Sequence, residues 1–159
     1  MKKTIITIAA IAISLSSFAQ SELSGKWSFQ EQESISGNLY SNGSPKTIKI
    51  SVNGSAVIFE ATTATASGTD ATTRDTLKLN GAAFQTFTPS KRKKVISIKK
   101  AGSSYTVFTT VYNAAEPTKV DHKVTDTWSI ENGQLMLDRK DENLTNGEVW
   151  ESKASYSKQ

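Results

Sequence analysis

His122 is the only histidine in 159 residues, and there is no cysteine. Zinc centres and Ser-His-Asp or Cys-His machinery are built on imidazole or thiolate, so one histidine with Asp121 beside it and Asp126 four residues on cannot assemble either. The chain reads as a non-enzyme with no cofactor and no metal. The run Asp141-Glu142-Asn143-Leu144-Thr145-Asn146-Gly147 places Asp141, Asn143 and Thr145 at the first, third and fifth positions of a calcium loop. Its glycine comes one place late, and Ser152 stands where the bidentate glutamate belongs. A hairpin turn at Asn146-Gly147 explains the same spacing without an ion. Lys91-Arg92-Lys93-Lys94, with Lys99 and Lys100 nearby, is the dense positive stretch. It could meet an anionic glycan or envelope surface, but charge runs at turns are ordinary, and here they would guard the apolar segment from Val95 to Ile98 against edge pairing.

The elements that must carry these residues are strands. Five of the nine glycines follow asparagine, at 42–43, 53–54, 80–81, 132–133 and 146–147. Asn-Gly supplies the two positive-φ residues that a type I′ hairpin loop demands. Around Asn132-Gly133 the flanking residues alternate. A two-residue loop pairs Glu131 with Gln134, Ile130 with Leu135, Ser129 with Met136 and Trp128 with Leu137, which puts Trp128, Ile130, Leu135 and Leu137 on one face.

The other turns repeat the device. Asn53-Gly54 would pair Ile50 with Val57 and Ile48 with Phe59. Asn80-Gly81 would pair Leu77 with Phe84, and Gly102-Ser103 would pair Ile98 with Val107. Asn146-Gly147 would pair Asp141 with Ser152, Arg139 with Ala154 and Leu137 with Tyr156. Leu23, Gly25, Trp27 and Phe29 share the inner face of a first strand. Ser34 to Pro45 and the polar run Thr62 to Thr73 read as loops. No helical period occurs beyond residue 19. The fold expected is all-β, an antiparallel up-and-down meander of about eight to ten strands closed into a barrel, which removes the unpaired edges. A two-sheet sandwich is the alternative.

The first nineteen residues read as a signal peptide. Lys2 and Lys3 are basic, Ile5 to Ile13 is apolar, and Ser17-Phe18-Ala19 is a small-x-small cleavage site. The apolar stretch is too short to span a membrane. Cleavage leaves residues 20–159 as a single exported domain, periplasmic or secreted and monomeric. Of 19 basic residues two lie in the leader, so 17 face 15 acidic ones, a net charge of +2 that gives no reason to expect nucleic acid.

Leu23-Ser24-Gly25-Lys26-Trp27 carries a Gly-x-Trp just after the leader. The hairpin from Trp128 to Leu137 and the ending Tyr156-Ser157-Lys158-Gln159 complete a pattern that resembles small exported bacterial proteins of the lipocalin-like, calycin type. The resemblance implies a barrel that holds a small apolar or amphipathic molecule, or one that is filled and contacts another protein or the envelope. In lipocalins a cationic side chain from a late strand packs over the opening tryptophan, and the resemblance gives that place over Trp27 to Arg139.

Within such a barrel the candidate ligand-binding residues are Trp27, Asp126, Trp128, Arg139, Trp150 and Tyr156. Asp126 and Arg139 face each other on the inner side of the central hairpin. They are either an anchor for a ligand head group at the barrel mouth or a structural salt bridge. Trp27 and Trp128 suit a core, whereas Trp150, nearer an end, suits a pocket. The small Ser152 and Ala154 would leave space toward Trp150, and Arg139 would favour a ligand carrying a carboxylate or other anion.

Overall fold

The computed structural model describes residues 22–36, 44–65 and 68–159. The leader and the Asn42-Gly43 turn lie outside these residues. Ten strands follow in order: β1 (Gly25–Ser36), β2 (Thr47–Asn53), β3 (Ala56–Ala64), β4 (Asp70–Lys78), β5 (Phe84–Phe87), β6 (Lys93–Ala101), β7 (Ser104–Tyr112), β8 (Val120–Glu131), β9 (Gln134–Asn143) and β10 (Val149–Lys158). They form one antiparallel sheet in the order β4-β3-β2-β1-β10-β9-β8-β7-β6-β5. Pairing β1 with β10 rolls this sheet into a nearly closed barrel, which leaves one seam between β4 and β5. Among the described residues only Glu22 and Leu23 are helical, and no helix is long and apolar enough to cross a membrane.

The central hairpin has the expected register, with Glu131 opposite Gln134 and Trp128 opposite Leu137. Asn132 and Gly133 both take positive φ, 52° and 79°, as a type I′ loop requires. The Gly102-Ser103 hairpin also pairs as expected, Ile98 with Val107 and Ile96 with Thr109.

Two registers differ from expectation by two residues. In the β2–β3 hairpin the loop is Gly54-Ser55, and Val52 lies opposite Val57 and Ile50 opposite Phe59. The shift joins apolar to apolar where the Asn53-Gly54 loop would have joined Val52 to Ser55. In the last hairpin Asp141 faces Trp150, Arg139 faces Ser152 and Leu137 faces Ala154. Here the Asn143 side chain accepts from the Thr145 and Asn146 amides at 2.9 and 3.3 Å, and Gly147 N–H donates to the Asn143 carbonyl. This local turn lengthens the loop to residues 144–148. Because both shifts are even, every side chain keeps its face.

Two further expectations fail. Leu77 and Phe84 do not pair: the chain turns at residues 79–83 and crosses the seam, and Phe84 pairs instead with Ile96 in a β5–β6 hairpin. Thr62 to Thr73 is not one loop, since its two ends extend β3 and β4 with Thr62 opposite Thr72 and their hydroxyls 3.0 Å apart. β-branched threonine suits a pleated strand, which outweighs the polarity of the run. The first strand likewise continues to Ser36.

The two-residue loops at 54–55, 102–103 and 132–133 all fall at one end of the barrel, with the start of β1 and the end of β10. Connections 88–92, 113–119 and 144–148 lie at the other. The tight-turn end is filled. Trp27, Ile50, Val57, Leu77, Ile98, Leu135 and Leu137 are buried there, and burying each large apolar side chain stabilises the fold by roughly 1.5–3 kcal/mol. The Trp27 indole N–H donates to the Leu23 carbonyl at 3.0 Å. Lys158, rather than Arg139, stands over the Trp27 ring, with Nζ 5.3 Å from its centre. Gly25 allows this, because a Cβ there would meet the Lys158 stem at 2.8 Å.

Candidate functional site

Toward the long-loop end the barrel is not filled. A cavity of about 270 Å³ lies between Phe59, Ala61 and Thr63 of β3, Thr73, Asp75 and Leu77 of β4, Lys94 and Ile96 of β6, Val107 and Thr109 of β7, Val124, Asp126 and Trp128 of β8, and Arg139 and Asp141 of β9. Each contributing strand sends every second residue inward, so alternation alone places them. The volume falls just under the roughly 300–1,000 Å³ of ordinary small-molecule pockets. Phe59 and Trp128 pack ring to ring at 5.8 Å and form an aromatic floor, with Tyr156 behind Trp128 at 6.3 Å.

Two ion pairs line the walls. Arg139 donates from Nε and Nη2 to the two oxygens of Asp126, at 2.7 and 2.8 Å. This bidentate fork crosses adjacent strands at a directly opposed position. Burial works against the guanidinium charge, but the Asp126 carboxylate more than offsets it, and the Arg139 pKa is raised above that of an ordinary arginine. Lys94 donates to both oxygens of Asp75 at 2.8 and 2.9 Å. That pair joins β6 to β4 across the seam, where no backbone ladder runs.

A third carboxylate, Asp141, is buried and meets His122 Nδ1 at 3.1 Å. The His122 ring stacks on Trp150, 6.5 Å between centres and 19° between planes. Asp121 beside it binds Arg92 and accepts from the Thr145 hydroxyl at 2.7 Å. These contacts tie connections 88–92 and 144–148 to the start of β8.

The six residues expected at a ligand site thus divide. Asp126, Trp128 and Arg139 line the cavity. Trp27 belongs to the filled end, Trp150 covers His122, and Tyr156 supports Trp128 from behind. Burial pushes the Tyr156 hydroxyl up to about 12, against the pull of the Arg139 charge. Phe29, expected in the core, is 38% exposed and packs edge-on against Tyr156. The basic stretch is dispersed: Lys94 turns inward to Asp75, Arg92 pairs with Asp121, and Lys93 lies over the Tyr112 ring. In the calcium-like run Asp141 points to His122 and the Asn143 side chain is spent on the turn.

The lining residues that the sequence reading missed are chiefly Asp75 and Lys94. A usable signal existed. Asp75 sits in phase with Thr73 and Leu77, and Lys94 in phase with Ile96 and Ile98, so each is a charge at an inward position, which demands a partner.

No protein-family model and no curated protein sequence matches the chain. Solved structures do match. Lipid binding protein 8 of Caenorhabditis elegans superposes with a TM-score of 0.59 at 17% identity, covering 87% of this chain and 96% of that one. Fatty-acid-binding protein 1 of Echinococcus granulosus gives 0.56 at 15%, covering 87% and 98%. The zebrafish ileal bile acid-binding protein, solved with cholic acid, gives 0.54 at 16%, covering 87% and 99%. At these identities the likeness is one of architecture. The chain shares with these proteins the fold of an antiparallel, nearly closed β-barrel, here of ten strands.

Proposed function

We propose that the chain is a non-enzymatic binding protein that holds one small apolar or amphipathic molecule inside the barrel. The observation that carries this reading is the cavity of about 270 Å³ with an aromatic floor and polar groups confined to its walls. Apolar surface gives a ligand its affinity, and a few fixed polar groups orient it. A barrel serving only as a contact module has no need of such a space, and an interior packed to native density would not leave it. The structural neighbours named for lipid, fatty acid and bile acid lend the reading support from architecture. The basic, apolar and small-residue leader through Ala19 supports export, so we place the binding protein in the periplasm or outside the cell as a monomer.

The test is titration with 1-aminoanthracene, an apolar fluorophore of compact shape, following energy transfer from tryptophan. Trp128 lines the cavity, whereas Trp27 and Trp150 do not. One saturable site is expected, with the transfer reduced in Trp128→Phe. A linear, non-saturating signal would remove the binding reading and leave a contact module.

A further inference from the structure

We infer that the cavity selects a small apolar amine, bound as its protonated ammonium, over a carboxylic acid of the same shape. The inference rests on the binding reading above and concerns the head group. Five charged side chains line the space: Asp75, Lys94, Asp126, Arg139 and Asp141. Both cations are already committed. Arg139 spends its Nε and Nη2 on the two oxygens of Asp126, and the Lys94 ammonium reaches both oxygens of Asp75. Two positive charges therefore face three negative ones, a net of −1 with His122 neutral.

Asp141 is the carboxylate left over. Its side chain is 8% exposed, and its Oδ1 meets His122 Nδ1. Among the described residues no side chain bonds its second oxygen. A neutral imidazole can donate from Nδ1 to Oδ1 and leave Oδ2 as an acceptor on the cavity wall.

The two head groups then meet opposite circumstances. An incoming carboxylate raises the negative charge of a poorly solvated space. The cations within reach, Arg139 and Lys94, are already offset by Asp126 and Asp75, so it must either share a paired donor or displace a carboxylate and leave it unpaired. An incoming ammonium brings the lining to neutrality and donates to Asp141 without breaking either pair. The fork on Arg139, which read from sequence alone would attract an anion, is here a closed pair.

The experiment compares three ligands that share one apolar body: 1-naphthylmethylamine, 1-naphthalenemethanol and 1-naphthoic acid, by calorimetry at pH 7. The amine should bind tightest and the acid weakest, with the amine ahead of the alcohol by about tenfold or more, as a charge-assisted hydrogen bond warrants. Asp141→Asn should cut the amine-to-alcohol ratio about tenfold. If that variant fails to fold, the wild-type ranking still decides. An acid that binds tighter than the alcohol, an amine no better than the alcohol, or a ratio unmoved by Asp141→Asn would each overturn the inference while leaving the binding reading in place. Saturable binding of none of the three would overturn both.

Discussion

The two ends of the barrel are built by different rules. At the tight-turn end, two-residue loops hold neighbouring strands in strict register, and alternating apolar residues fill the interior around Trp27. At the long-loop end the inward positions pass to Thr63, Thr73, Thr109, Asp75, Lys94, Asp126, Arg139 and Asp141, and space opens among them. Side chains crowd the axis at one end because they are branched or aromatic and almost wholly apolar, the Trp27 N–H being met by the Leu23 carbonyl. At the other end, charges must pair laterally along the wall, and groups held against the wall do not reach the centre. Stability should therefore concentrate at the filled end and ligand recognition at the hollow one, with the Asp126–Arg139 pair between them.

The sharpest way to break that contrast is to empty the filled end. Trp27 is 1% exposed, and Trp27→Ala should cost about 3–5 kcal/mol, read from urea unfolding. A loss below about 1 kcal/mol, far under the range for a buried tryptophan, would show that the filled end does not hold the barrel together.

Arg139→Met comes next. It strands the Asp126 carboxylate, whose side chain is only 13% exposed, and should cost roughly 3 kcal/mol. The double change Arg139→Met with Asp126→Leu should recover most of it, because the cost lies in the unpaired charge. Absence of recovery would mean that the fork contributes more than it costs in desolvation.

Tyr156 joins the two regions and can be read by pH. Burial raises its hydroxyl pKa from 10.0 to about 12. Below pH 10 folded and unfolded chains both keep the proton. As pH climbs from 10 toward 12 the unfolded chain releases it first, so stability is lost over that window, by about 2–3 kcal/mol in full. The stability difference between Tyr156→Phe and wild type should therefore shift in the variant's favour above pH 10. A pH-independent difference would place the hydroxyl in contact with water.

The smallest effect expected is at the central turn. Gly133 takes φ of 79°, and a Cβ there would meet nothing within 4 Å, so Gly133→Val is penalised by backbone strain alone, about 1–2 kcal/mol. Gly133→Asn, which tolerates that φ better, should retain most of the stability in thermal melts.

The same contrast governs what the sequence disclosed. At the tight-turn end, Asn132-Gly133 and Gly102-Ser103 are short-range signals, and with them register, inward face and most of the core were legible. Asn80-Gly81 shows the limit of such signals: it marks a turn, but whether its flanks pair is decided by closure of the whole sheet, and they do not. The two-residue shifts at Gly54-Ser55 and at Asn143 left faces intact because the side-chain period is two. At the long-loop end, Arg139 and Asp126 were legible because they oppose one another across a hairpin. Asp75 and Lys94 were not, because they meet across the seam, nineteen positions apart with no turn to link them. The same non-local closure set Lys158, rather than Arg139, over Trp27.

The central claim is that binding takes place in the hollow half, and filling that half tests it most directly. Ala61 lines the cavity on β3, opposite Ile48. Ala61→Phe should occupy the space at a folding cost of about 1–3 kcal/mol. Saturable binding of 1-aminoanthracene by wild type, weakened at least about tenfold in a folded Ala61→Phe variant, is the result expected. Equal affinity in the two proteins would place the ligand outside the cavity and contradict the account.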